Sequence, residues 1–349
     1  MNIDKCGNCG AQMKFDAFTH SIICQSCGNS ESVDMQKGCA DHFIDLNSVT
    51  KKTVGKDEEV VTAIKCHTCG ATQMNKIKTI ADKCQYCSAS LFVEENEGDA
   101  PDGCVLFGLD RETAIKNFKT SIVKRKFLPS AFKKNPPMDK MEAIYFPSFI
   151  YNTDGDYKYR AKLARKDGDD VYRYWTVTNQ GTFREGPIMI EGSRYLTQKN
   201  FNEISPFDTN QIFNFDKKFI AGYSVEYFNR NIEETAILAK NLVYSRVKSS
   251  ITEGLHSRCD KISEFDMDLR YINTHYSYVL LPVYKINYKY GNKDYSAFVN
   301  GQSGKVGGQV PRSKIKIFMF ILFILAVLGL GMVWLLGLDF TKIFENLLK

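Results

Sequence analysis

The sequence predicts a multidomain chain. Two small four-cysteine ribbons of the β-hairpin, knuckle type precede an α+β domain with an antiparallel sheet, and one C-terminal transmembrane helix follows. Three observations predict it. The pairs CGNCG and CQSCG recur as CHTCG and CQYCS, a tyrosine-rich middle alternates apolar with charged residues, and residues 317–338 carry no charge. The expected boundaries are a first ribbon at 1–38, a connector at 39–60, a second ribbon at 61–93 and an acidic linker at 94–103. The α+β domain then takes 104–310, a basic segment 311–316, the membrane helix 317–338 and a short amphipathic tail 339–349.

The ribbons rest on residue counts. Fourteen residues separate Cys9 of the pair Cys6/Cys9 from Cys24 of the pair Cys24/Cys27, and fourteen again separate Cys69 of Cys66/Cys69 from Cys84 of Cys84/Cys87. Two residues between cysteines let a tight turn offer both sulfurs to one ion, and glycine after the second cysteine takes the backbone angles that turn needs. Gly10, Gly28 and Gly70 fit that rule and Ser88 departs from it. Four thiolates complete a tetrahedral Zn²⁺ and leave no open position for a reacting water. Two zinc ions are therefore expected, with iron in a rubredoxin-like site and a disulfide network as the competing assignments. Cys39, Cys104 and Cys259 read as buried thiols, and His67 as a surface residue beside a complete ligand set.

Charge argues about partners. The 349 residues carry a formal net charge of +6, yet residues 1–100 hold 10 Lys/Arg against 14 Asp/Glu. Each zinc tetrathiolate adds about −2. An acidic pair of ribbons is a poor clamp for phosphates, which disfavours nucleic acid as a partner.

The remaining elements follow from periodicity. Asp110 reads as the cap of a helix carrying Ala114, Ile115, Phe118, Ile122 and Val123, and the basic end of that helix reads as solvated. YKYRAKL and VYRYWTV alternate as strands around KDGDD. IEETAILAKNLVYSRVKSSI reads as a second helix with Ile232, Ala236, Ala239, Val243, Val247 and Ile251 on one side. In PVYKINYKYGNKDYSAFV, Tyr284, Ile286, Tyr288 and Tyr290 share a face, and GNKD turns a hairpin. NGQSGKVGG has neither the spacing nor the following helix of a phosphate loop, and no nucleophile signature occurs. No enzyme and no small-molecule substrate are expected.

Residues 317–338 would reach about 33 Å as a helix, against a hydrocarbon core of roughly 30 Å. Arg312, Lys314 and Lys316 crowd one edge. The positive-inside bias then predicts a single-pass protein of the inner (plasma) membrane, with its bulk in the cytoplasm, its C-terminus outside and anionic lipid beside the basic edge.

The chain also resembles the bacterial membrane proteins labelled TFIIB-type zinc-ribbon-containing proteins. The resemblance rests on the paired cysteines, YFPSF at 145–149, GYSVEYF at 222–228, LLPVYKINY, and NGQSGKVGGQVP, with Phe149 and Tyr284 where tryptophan is expected. It implies a partner in a membrane-stress complex of the phage-shock (PspA-like) type. The expected function is thus a non-enzymatic zinc-ribbon adaptor that recruits a protein partner to the membrane. A membrane-tethered nucleic-acid-binding protein is the second reading.

Overall fold

The computed structural model describes residues 5–49, 62–65, 70–75, 79–84, 86, 90–92, 100–136, 141–168, 171–193, 196–226, 228 and 230–335. Chain order begins with three short strands, β1 (Met13–Asp16), β2 (Ser21–Cys24) and β3 (Ser30–Ser32), paired as an antiparallel sheet of their own. Strand β4 (His42–Phe43) follows. The second cysteine segment contributes β5 (Thr62–Lys65) and β6 (Thr72–Asn75), a two-stranded sheet, then β7 (Thr79–Lys83) and β8 (Ser90–Phe92). After β9 (Gly103–Val105) come helix α1 (Arg111–Val123), helix α2 (Ser130–Lys134) and two long strands, β10 (Met141–Lys166) and β11 (Tyr172–Glu191). Helix α3 (Gln198–Ile204), strands β12 (Ile212–Asn214) and β13 (Ser224–Glu226), and helix α4 (Ile232–His256) lead to β14 (Lys261–Tyr290). The described chain ends with β15 (Lys293–Asn300), β16 (Val306–Gly308) and helix α5 (Lys314–Leu335).

Among the described residues an 11-stranded sheet dominates, ordered β12-β9-β14-β10-β13-β7-β8, with β11 beside β10 and with β15 and β4 beside β14. Its spine is the antiparallel pair β10/β14, in register from Met141↔Ile286 to Ala164↔Lys261. The long strands form because apolar residues alternate along them: Tyr151, Thr153, Ala161 and Leu163 are buried on one side while Asn152, Lys158 and Arg160 face water. Helix α4 covers that buried side. Asn231 caps it by accepting from the backbone N–H of Glu234 at 2.7 Å, and Ala236, Ala239, Val243 and Val247 turn inward. Small residues there let the helix lie close to the sheet. Helix α1 starts on Asp110 as expected, and buries Ala114, Phe118 and Ile122. The last hairpin turns on Gly291 and Asn292, since Tyr290 pairs with Lys293.

Several polar groups inside this body are matched. The Tyr151 hydroxyl lies 2.7 Å from Thr235 Oγ1 beneath α4, and Thr153 and Thr274 share a hydroxyl bond across the spine at 2.7 Å. Glu226 is held by Ser193 Oγ at 2.7 Å and by Lys285 Nζ at 3.3 Å. Glu191, 1% exposed, pairs with Arg230 at 3.1 Å. Burial raises its carboxyl to about 7, although its own backbone N–H and the Arg230 guanidinium pull the other way.

Two expectations are corrected. The first is the fold class. Instead of two ribbons strung ahead of an α+β domain, the body is a large β-sheet with few helices, and among the described residues one four-cysteine cluster is seen. The cysteine segments are fastened to that sheet rather than set apart from it. β7 pairs antiparallel with β13, β4 pairs with β14, and Phe15 N donates to Ala221 O at 3.0 Å. A ribbon too small to bury a core of its own gains one by packing on its neighbour.

The second correction concerns the transmembrane, tail-anchored reading and the single-pass inner-membrane location built on it. Among the described residues no helix is long and apolar enough to cross a membrane. Helix α5 is described from Lys314 to Leu335. Most of its described apolar side chains, Phe318 and Leu322 among them, are exposed. The expected tail at 339–349 lies outside the described residues.

Candidate metal centre

Residues 6–27 build the site locally. Cys6 and Cys9 sit on a turn closed by Gly10 N donating to Cys6 O at 2.8 Å, and Cys24 and Cys27 on a matching turn closed by Gly28 N to Cys24 O at 3.1 Å. Gly10 and Gly28 adopt φ of 70° and 73°, the left-handed conformation that the CxxCG pattern demands. Between the turns, β1 and β2 pair from Met13↔Cys24 to Asp16↔Ser21, and this short hairpin carries the second knuckle back to the first. The fourteen-residue spacing is thereby used as the sequence suggested.

The sulfur geometry fits a tetrahedral ion. All four Sγ atoms lie within 4.8 Å of one another, with Cys6–Cys27 at 3.6 Å and Cys9–Cys24 at 3.5 Å. A metal–sulfur bond of about 2.3 Å requires tetrahedral edges of about 3.8 Å, so only a small adjustment closes the cage. The group can therefore hold one metal ion, and the all-thiolate donor set favours Zn²⁺.

Electrostatics prepare two of these sulfurs. Backbone N–H groups of Cys27 and Ser26 point at Cys24 Sγ and bring its thiol down to about 6, and those of Cys9 and Asn8 lower Cys6. At Cys9 the Ala11 N–H lowers the value, but the neighbouring sulfurs of Cys27 and Cys24 outweigh it and push the thiol up to about 12. Such crowding is what a divalent cation relieves. Asn8 Nδ2 and Asn29 Nδ2 also reach Cys27 and Cys6, each at 3.9 Å. These two amides form an outer ring around the sulfurs that steadies them. Cysteine spacing gave no hint of them; their signal in the sequence was an asparagine one or two residues from a knuckle cysteine.

The other expected residues are placed as follows. Cys84 is buried and lines a cleft of about 720 Å³ between the ribbon and the sheet, alongside Phe15, Arg111, Glu142 and Tyr284. Cys66, Cys69 and Cys87, and His67 with them, lie outside the described residues. Cys104, in β9, and Cys259, between α4 and β14, are buried free thiols, whereas Cys39 is partly exposed. Of the three basic residues, Arg312 precedes α5, Lys314 starts it, and Lys316 Nζ donates to Leu128 O at 2.8 Å.

The chain is 25% identical over 326 residues to the uncharacterized protein YdjG of Bacillus subtilis (strain 168), an alignment covering 90% of this chain and 91% of that protein. No family model matches the chain. No solved structure matches it either.

Proposed function

We propose that the protein is a non-enzymatic adaptor whose metal-fixed ribbon presents a recognition surface to a protein partner. The observation that carries this reading is the closed four-sulfur set beneath an exposed hairpin tip. Phe18, 61% exposed, stands at that tip and borders the same 720 Å³ cleft. A Phe projecting from a rigid turn beside a cleft is the kind of anchor that protein interfaces use. The metal holds the tip in shape and, with no open coordination position, leaves it nothing else to do.

A second ion on Cys66, Cys69, Cys84 and Cys87 belongs to the same proposal. Gly70 has φ 75°, matching Gly10 and Gly28, and β6 follows it as β1 follows Gly10. Membership in the TFIIB-type zinc-ribbon family, and a partner of the PspA-like stress type, are likewise proposals drawn from the motifs. The test is affinity capture with the full chain. Phe18→Ala, and separately Cys9→Ser/Cys27→Ser, should each lose a specific partner that the unsubstituted chain retains. An identical partner set for all three chains would refute the ribbon's role.

A further inference from the structure

Among the described residues the long strand β11 pairs with β10 alone, so every second backbone N–H and C=O from Tyr172 to Glu185 points away from the sheet. Natural edges are usually blunted by proline, lysine or a bulge. This one is not: YWTVTNQGTF, residues 174–183, contains no charge and no proline, and the one β10/β11 register shift lies further along, between Tyr151 and Thr153. Tyr172 and Tyr174 are exposed at its end.

We propose that this edge pairs antiparallel with the same edge of a second copy, about a two-fold axis through Asn179. The edge is complementary to itself. A two-fold axis perpendicular to the sheet pairs residues of like parity, so only a residue, and not a gap between residues, can sit on it. Placing Asn179 there sets Trp175 against Phe183, Val177 against Gly181 and Arg173 against Glu185 on the helix-covered side. On the open side it sets Tyr174 against Arg184, Thr176 against Thr182, and Thr178 against Gln180. Aromatic pairs, opposite charges, a cation over a ring and threonine pairs are the cross-strand partners that stabilise a ladder.

Neighbouring registers lose these matches. Moving the axis to Thr178 puts Trp175 on Gly181 and Arg173 on Phe183, and moving it to Gln180 puts Trp175 on Glu185. The charges are available for exchange, because their present ion pairs, Arg173–Asp167 and Arg246–Glu185, lie at the surface. Pairing would join two copies into one continuous sheet, with a ribbon on each.

The experiment uses the full chain. Sedimentation velocity over a concentration series should show a monomer–dimer equilibrium. In Asn179→Cys the two introduced sulfurs face each other across the axis, at a Cα separation of about 5 Å that a disulfide spans. Mild oxidation should then give a covalent dimer above the background of the unsubstituted chain. Thr176→Cys should not, because its own counterpart is about 20 Å away along the strand. Asn179→Lys, placing like charges face to face, should weaken dimerisation about fivefold. Hydrogen exchange on the unsubstituted chain should show residues 173–185 gaining protection with concentration. A chain monomeric throughout overturns the proposal. So does a dimer in which Asn179→Cys fails to link, or in which residues 173–185 gain no protection, since association through the exposed apolar face of α5 would leave both unchanged.

Discussion

Replacing Arg230 by methionine tests how this fold tolerates charge in its interior. The guanidinium lies 3.1 Å from Glu191, and the carboxylate is 1% exposed. At an effective dielectric of about 20 the attraction across that distance is about 5 kcal/mol, much of it offset by withdrawing both groups from water. Methionine keeps most of the volume and removes the charge, leaving Glu191 buried without compensation. At pH 8, one unit above the value of about 7 at which Glu191 titrates, uptake of a proton relieves the uncompensated charge and holds the expected loss of stability to about 1.4 kcal/mol. The loss must depend on pH, and its sign is fixed. Burial already raises Glu191 to about 7 in the intact protein, so the folded state holds a proton that the unfolded chain, titrating near 4.5, has released. Its favourable contribution is complete below about 4.5 and disappears as pH rises through 7. Removing Arg230 moves that upper limit higher, and below pH 6 a neutral Glu191 no longer needs a partner. The variant should therefore recover most of its deficit on acidification, to within about 0.5 kcal/mol of the intact protein at pH 5. Urea midpoints across pH 5–8 measure this, with Arg230→Met/Glu191→Gln as the control that should be nearly flat. An equal loss at every pH would refute the reasoning and assign the effect to packing.

Three further outcomes are expected. Elemental analysis of the purified full chain should find two zinc ions and Cys9→Ser should retain one; a single ion in the unsubstituted chain would restrict metal binding to Cys6, Cys9, Cys24 and Cys27. Asn231→Ala removes the side chain that accepts from Glu234 N and should cost about 1 kcal/mol in thermal or urea unfolding. Gly155→Ala would bring a Cβ to 2.1 Å from Arg270 O at a register shift of the spine, and should lower stability by about 2 kcal/mol or more while leaving metal content unchanged.

What the sequence disclosed depended on whether the deciding interaction was local. The Cys6/Cys9 and Cys24/Cys27 pairs, the Asp110 cap and the inward stripe from Ala236 to Val247 are set by residues three to twenty-one apart, and the structure has them where the pattern put them. The alternation of Tyr284, Ile286 and Tyr288 was legible for the same reason. The great length of β10 and β14 was not. Both run through prolines, Pro147 opposite Leu280 and Pro282 opposite Tyr145, which read as interruptions along the sequence. Nor did the cysteine segments announce that their strands join a sheet built by residues over a hundred positions away: β7 meets β13, and Asn47 Nδ2 reaches Tyr271 O at 2.7 Å. The amides of Asn8 and Asn29 could not be read from the cysteine spacing, because hydrogen bonds to sulfur follow no spacing rule. Apolarity alone suggested the membrane span, whereas among the described residues no helix is long and apolar enough to cross one.

Met13, Phe15 and Ile22 of the ribbon belong to the same apolar cluster as Phe219, Tyr145 and Leu280 of the large sheet, and Phe15 meets the Phe219 ring at 5.2 Å between centroids. An ion held by the four sulfurs would therefore be felt far beyond them: it would brace one wall of the principal interior, and its removal would loosen that wall as well as the ribbon.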